Sequence, residues 1–294
     1  MSPNTMETRE RGLLAINTLD ILSAIGCREL RFMRRWLELV VRGPALSFAR
    51  QVLAFDDAVA ASGIRAAARA LLSSYMNDFS VWGLSHIPGS GPVLIVSNHP
   101  GMTDTAALFA AIPRPDIRIL AADRPFLRAL PAVSRSLIYI PDDPRRRMSA
   151  LRGAIDHLKA GGSLLTFPAG EIEPDPAVLP GALSALDRWS SSTATFLRFV
   201  PQAAVVPVVV SGVLSRRAQR HPLTYLRRKR KDREWLGAIL QIVARTVSAN
   251  AWSVRTRVDI LAPFAPGALA GAGEEATRLV RERVADFLKG RAKA

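Results

Sequence analysis

The stretch "VLIVSNHPGMTD", residues 93–104, decides how this chain is read. An apolar run stops abruptly at Ser97, Asn98 and His99, and an acid, Asp104, follows five residues after the histidine. A short apolar run bounded by turn residues marks a strand buried on both faces, the kind found in parallel sheets. The open end of such a strand is where an α/β sheet presents its chemistry. A helical pattern, "TDTAALFAAI", starts at Thr103. His99 is therefore expected in the strand-to-helix loop and Asp104 in the first helical turn, with Gly101 allowing a tight turn between them. A carboxylate at that position can reach one imidazole nitrogen. It would fix the tautomer and support positive charge as the other nitrogen takes a proton. The competing reading makes Asp104 a helix N-cap or first-turn acid, favoured there by backbone N–H groups and the macrodipole.

The same texture extends over most of the chain. From residue 78, β-rich runs alternate with helical patterns: "FSVWGL", "PVLIVS", "IRILAA", "LIYI", "SLLTF", "AVVPVVV" and "VRTRVDI". Helical patterns lie near 104–112, 146–160, 181–199, 222–249 and 274–290. This alternation predicts an α/β domain over 78–294, with a mixed, largely parallel central sheet flanked by helices. Pro207 inside "AVVPVVV" cannot donate to a ladder, so a bulge or strand end is expected there.

Residues 1–77 read as an N-terminal helical appendage. In "RELRFMRRWLELVVR", Leu30, Met33, Leu37 and Val41 share one helical face while Arg31, Arg35, Glu38 and Arg42 share the other. Gly43 and Pro44 are expected to end that helix. Its amphipathic pattern fits a helix lying on anionic lipid, and equally a helix docking its apolar face on the main domain.

Composition narrows the function classes. The chain has 294 residues, 49% of them hydrophobic, enough for a sizeable core. Its net charge of +15 predicts attraction to polyanions: anionic headgroups, acidic carrier proteins, phosphorylated substrates or nucleic acid. Cys27 is the single cysteine, which excludes an internal disulfide framework and a cysteine-based zinc site. The start "MSPNTMETRERGLL" shows no secretory signal, and no uninterrupted apolar run reaches membrane-spanning length. A G-x-S-x-G nucleophile elbow is also missing, which argues against a serine hydrolase.

Two later strand ends repeat the pattern of the first. "SLLTFPAGE" ends in a Pro-Gly turn at 167–170, and "AVVPVVVSG" contains Val206, Pro207 and Val208. Together with Asn98, His99 and Asp104, and with the block 136–142 between, these segments resemble the phospholipid and glycerol acyltransferase (PlsC-type) family. The ordered motifs of that family are N-H-x-x-x-x-D, a G-x-x-F-I-x-R block, F-P-E-G-T-R and a V-P-V strand. The resemblance covers roughly residues 78–260. It implies that His99 deprotonates a hydroxyl or amine acceptor and that Asp104 orients the ring. The acyl group would come from a thioester of coenzyme A or acyl carrier protein, as co-substrate, with no metal and no other cofactor. Asn98, Gly101, Phe167, Pro168, Ala169, Gly170 and Glu171 would shape the substrate pocket, and backbone N–H groups near 167–170 would help hold an oxyanion.

The chain departs from the family where the acceptor should bind. Asp142 stands about where the second motif's Arg belongs. Ala169 replaces the third motif's Glu, Glu171 and Ile172 replace its Thr-Arg, and Glu173 follows. Either Arg145, Arg146 and Arg147 take over a phosphate-binding role, or the acceptor carries no phosphate and those arginines form the solvated first turn of a helix. The second account is preferred, because acids repel a phosphate.

The basic block "SRRAQRHPLTYLRRKRKDREW", 215–235, admits a dock for anionic headgroups or an acidic carrier, or a solvated helical face. Nucleic-acid binding finds no helix-turn-helix, zinc-finger or RRM-type signature to support it. The reading is an acyltransferase at the cytoplasmic face of the cell membrane, bound peripherally. Two alternatives stay open: a non-catalytic membrane- or nucleic-acid-binding protein on the same scaffold, and a thioesterase or hydrolase in which His99 activates water.

Overall fold

The computed structural model describes residues 3–26, 34–248, 251–252 and 254–293. Each of the seven β-rich runs forms a strand: β1 (Asp78–Trp82), β2 (Val93–Ser97), β3 (Arg118–Ala122), β4 (Leu137–Ile140), β5 (Ser163–Thr166), β6 (Ala204–Ser211) and β7 (Arg255–Ile260). They make one sheet in the order β1-β7-β6-β2-β5-β3-β4. Every pairing is parallel except that of β6 with β7. The chain is thus an α/β protein with a mixed, mostly parallel sheet.

The helices of eight residues or more are α1 (Pro3–Ile25), α2 (Arg34–Ser62), α3 (Ile64–Tyr75), α4 (Asp104–Ala111), α5 (Pro144–Lys159), α6 (Ser192–Phe199), α7 (Arg230–Val247) and α8 (Glu274–Lys293). They cover both faces of the sheet. Val93 and Ile95 of β2 point into a core shared with α2, α3, α4 and α7. Leu94 and Val96 point into the opposite core, shared with α5, α6 and α8. This two-sided burial is why β2 is apolar from Val93 to Val96 instead of alternating. Among the described residues, no helix is long and apolar enough to cross a membrane.

Two expectations from proline need correction. Pro207 causes no bulge; it sits inside β6, beside Val96 of β2. Ala204 N donates to Pro92 O on the β2 side and Val205 N donates to Phe264 O on the other. By alternation, position 207 turns its missing N–H away from β2. It faces the segment just past the end of β7 at Ile260, where Leu261 N donates to Pro207 O at 2.9 Å and Pro207 serves as acceptor alone. The break in the ladder is real, but the neighbouring strand carries it.

The second correction concerns α2, which runs through Gly43 and Pro44 to Ser62. An internal proline costs a helix about 3 kcal/mol. Here Val41 and Ala45, on either side of it, are buried against Ile21 and Leu22 of α1 and Leu236 and Ile239 of α7. That packing outweighs the local signal. Residues 28–33 of the amphipathic segment lie outside the described residues.

Candidate active site

Strands β2, β5 and β6 are adjacent and parallel, so the loops that follow them converge at one edge of the sheet. The β2 loop carries His99, and three contacts set its path. Asn98, almost fully buried, pairs with Val210 of β6 through its side chain: Nδ2 donates to Val210 O at 2.9 Å and Oδ1 accepts from Val210 N at 2.8 Å. The amide side chain extends the β2–β6 ladder by one rung, so Asn98 anchors the loop where a pocket-lining role was expected. Next, His99 N donates to Glu173 Oε2 at 3.0 Å, and Glu173 N donates to His99 O at 2.8 Å. Finally, Gly101 packs against Val213 and Leu214, where a Cβ would lie 3.2 Å from Val213 Cγ2. Gly101 does not adopt a positive φ. It is needed for space, not for the tight turn expected from sequence.

This loop holds the imidazole against Asp104. His99 Nδ1 lies 2.6 Å from Asp104 Oδ2. A carboxylate oxygen only accepts, so Nδ1 carries the hydrogen and Nε2 is left with its lone pair. Asp104 is fully buried. It also accepts from Gly101 N at 3.1 Å and Thr105 Oγ1 at 3.2 Å. It opens α4, so both readings of it hold at once: a first-turn acid and the partner of His99. The Phe167 ring stacks on the imidazole with centroids 4.5 Å apart. Burial alone would lower the imidazole pKa. The Asp104 charge and hydrogen bond outweigh burial, with Glu173 adding to them, and hold the pKa above its ordinary value. The other three histidines bond to backbone: His86 with Ile260 O, His157 with Ser163 O, and His221 with Leu223 N.

Two acids that sequence reasoning left without a role support this geometry. Glu173, nearly fully buried, accepts from Trp189 Nε1 at 2.8 Å as well as from His99 N. Burial pushes its carboxyl above the usual range, against those two donors. Asp175 has no exposed surface and accepts from Ala177 N, Gly212 N and Leu214 N, tying the β5 loop to the β6 loop. Their one trace in sequence is "EIEPDP", three acids in five residues after an apolar strand. In a chain of this charge that pattern reads as solvated loop.

The turn at 167–170 closes with Gly170 N donating to Phe167 O at 3.0 Å, and Gly170 takes a left-handed φ of 65°. Its N–H is thereby used within the turn. Among the described residues, the N–H groups of Ala169 and Glu171 have no acceptor. Pro168 is buried and accepts from Ser190 N through its carbonyl. Glu171 is paired with Arg188 at 3.0 Å and with Lys231. The Lys231 bond holds its carboxyl below the usual range. Neither Glu171 nor Glu173 is thus a free negative charge: Glu173 is turned inward and Glu171 is matched by two cations.

Arg145, Arg146 and Arg147 stand exposed in the first turn of α5, which Asp143 caps by accepting from Arg145 N. Arg147 donates back to Pro141 O and Asp142 O, and Asp142 is exposed in the same turn. β4, which leads into them, is three strand spacings from β2, roughly 14 Å. Their hydrogen bonds lie within their own turn, and none among the described residues joins them to the His99 loop. Replacing all three with Ala is expected to leave kcat/KM within about threefold of wild type, since exposed side chains away from the reacting atoms contribute little. Steady-state assays on phosphate-bearing and phosphate-free acceptors check this. Selective loss on the former would restore these arginines to the site.

Among the described residues, no three of His, Cys, Asp and Glu are grouped so as to hold a metal ion. A family model described as Acyltransferase matches residues 78–211, the span from β1 to the end of β6. No curated protein matches the chain. Among solved structures, the 1-acyl-sn-glycerophosphate (LPA) acyltransferase PlsC from Thermotoga maritima aligns with a TM-score of 0.44 at 16% identity, covering 100% of this chain and 99% of that one.

Proposed function

We propose that this chain, whose residues 78–211 match an acyltransferase family model, moves an acyl group from a thioester to the hydroxyl or amine of a lipid precursor. The observation that carries the proposal is the His99–Asp104 pair at the carboxyl end of β2, inside the matched segment. His99 Nε2 takes the proton of the acceptor O–H or N–H as that atom attacks the thioester carbonyl carbon. The imidazolium formed is stabilised by Asp104. The carbonyl oxygen becomes an oxyanion, for which the Ala169 and Glu171 N–H groups are the available donors. The tetrahedral intermediate then collapses, the C–S bond breaks, and the imidazolium returns its proton to the leaving thiolate. The donor is coenzyme A or a carrier-protein thioester, and the chemistry at His99 is the same for both.

The acceptor in this reading is bound without a phosphate clamp. Arg188 and Lys231 already share Glu171, and a phosphate would have to displace that carboxylate to use them. The test is thiol release from acyl-CoA against a panel of lysophospholipid, glycerol 3-phosphate, amine and sugar-lipid acceptors. Acceptor-dependent release with an acylated product is expected. Release at the same rate with no acceptor would assign the site to a hydrolase instead.

The pH dependence follows from the raised imidazole pKa. The base form of His99 is the unprotonated one, so kcat/KM should rise with pH along a limb centred above the ordinary imidazole value of about 6.5. In Asp104→Asn the charge that raises the pKa is gone while burial remains. The limb should then move below that value and the plateau rate fall by about 10²–10⁴-fold. A pH–rate profile of both proteins decides it; an unmoved limb would mean that another group titrates.

A further inference from the structure

We infer that the segment 216–233 forms a docking surface for an anionic lipid bilayer and that it places the mouth of the His99 site against the headgroup layer. This rests on the acyltransferase reading for its purpose but on separate residues for its evidence. Nine cationic side chains and one acid fall within these 18 positions. Arg217, Arg220, Arg228 and Lys229 are exposed with no side-chain partner among the described residues. At the centre of this charge stands the short 3-10 helix Pro222–Leu226. Thr224 faces inward, 1% exposed, with its hydroxyl donating to His221 O at 2.8 Å. Leu223, Tyr225 and Leu226 face outward at 45%, 65% and 63% exposure. A rigid turn that presents two leucines and a tyrosine to water within a ring of arginines has the composition of a membrane-interface anchor. The apolar tips enter the acyl boundary, while Arg and Lys stems reach the anionic headgroups.

The turn belongs to the same face as the site. Lys231 pairs with Glu171, Arg230 donates to Pro180 O, and Arg216 donates to Ala177 O. The basic segment is thereby fastened along the β5 loop, whose first residues carry Phe167 against His99. Met102 and Ile172 are likewise exposed apolar side chains, in the two loops that hold His99. The end of α1 also reaches it, with Gly26 set against the Arg227 guanidinium. Charge alone would equally suit nucleic acid. Two exposed leucines gain nothing from a phosphate backbone, and only Tyr225 offers a ring for stacking in the turn.

The full chain is sedimented with phosphatidylcholine vesicles and with phosphatidylcholine–phosphatidylglycerol vesicles over a salt series. Two variants accompany it: Leu223→Ser/Tyr225→Ser/Leu226→Ser and Arg217→Glu/Arg220→Glu/Arg228→Glu. All six positions are exposed, and circular dichroism melts confirm the fold. Wild type should bind the anionic vesicles and release with salt, and each variant should bind at least about tenfold more weakly. Wild-type binding by both variants would place the anchor elsewhere, for instance in 28–42, and overturn the inference. Tighter binding of wild type to an oligonucleotide or an acidic carrier protein than to anionic vesicles would overturn it as well. Thiol release with detergent-dispersed acceptor is measured in parallel. Thiol release by wild type without binding to anionic vesicles removes only the docking role of the turn. Vesicle binding without thiol release by wild type removes only the catalytic reading.

Discussion

His99→Ala is expected to lower acyl transfer by about 10³-fold or more while leaving the protein folded. The loss follows from the role of the ring: with Nε2 gone, the acceptor must shed its proton to water, and a positioned base typically contributes 10²–10⁴-fold. The fold should survive because the side chain is 26% exposed and the backbone of the loop is held by other contacts. Those contacts are the two backbone bonds between His99 and Glu173 and the Asn98–Val210 pair, none of which uses the imidazole. Asp104 keeps two donors, Gly101 N and Thr105 Oγ1, so its buried charge is not left bare. His99→Asn serves as a control, since it restores a polar side chain but no base. A double variant, His99→Ala with Asp104→Asn, should be no slower than His99→Ala alone, because Asp104 acts through the ring. Steady-state thiol release and product detection measure the rate, and thermal melts check the fold. Retained turnover in His99→Ala with an unchanged melt would reject the mechanism.

The parts of this architecture that announce themselves in sequence are those in which local chemistry and tertiary demand agree. β2 and β6 are apolar up to their terminal serines because both of their faces are covered, and that composition alone identifies them as central strands. The spacing of His99 and Asp104 is legible for the same reason: a turn and a helix start bring residues five apart together. Pro44 and Pro207 mislead because a proline's cost is local while its compensation is not. One is offset by packing from α1 and α7, and the other by its place opposite the end of β7, where Pro207 is used only as an acceptor. Glu173 and Asp175 are hidden more completely. A buried carboxylate has the same letter as a solvated one, and what distinguishes these two is a set of backbone N–H groups contributed from 74 and 37 residues away. Glu171 shows the same limit in reverse. It looks like a free acid, and its two cationic partners are visible only once the chain has folded.

Asp175→Ala is the substitution expected to cost the most stability near the site. Three N–H groups end on this one carboxylate: Ala177 at 2.9 Å, Gly212 at 2.8 Å and Leu214 at 3.0 Å. Leaving buried donors unpaired costs about 1–3 kcal/mol each. Against this stands the relief from burying a charge. Burial raises the Asp175 pKa, with the backbone N–H bonds opposing that shift. A folded-state pKa above the unfolded value favours the fold most strongly at low pH and loses that contribution as pH rises through the folded pKa. The carboxylate is therefore an expensive acceptor at neutral pH, and removing it returns part of the cost. A net loss of about 3 kcal/mol remains, which corresponds to roughly 10 °C in Tm for a chain of this length. The loss should also reach function. Asp175 fixes the β6 loop, and Val213 and Leu214 in that loop pack against Gly101 beneath His99. The variant should thus turn over more slowly even below its melting transition. Asp175→Asn separates shape from charge. Its amide oxygen can still accept from Gly212 and Ala177, but its NH₂ faces the Leu214 N–H, so an intermediate Tm is expected. Melts of both variants at neutral pH provide the measurement. A Tm for Asp175→Ala within about 2 °C of wild type would show that the three N–H groups find other acceptors and that the β6 loop is held without this carboxylate.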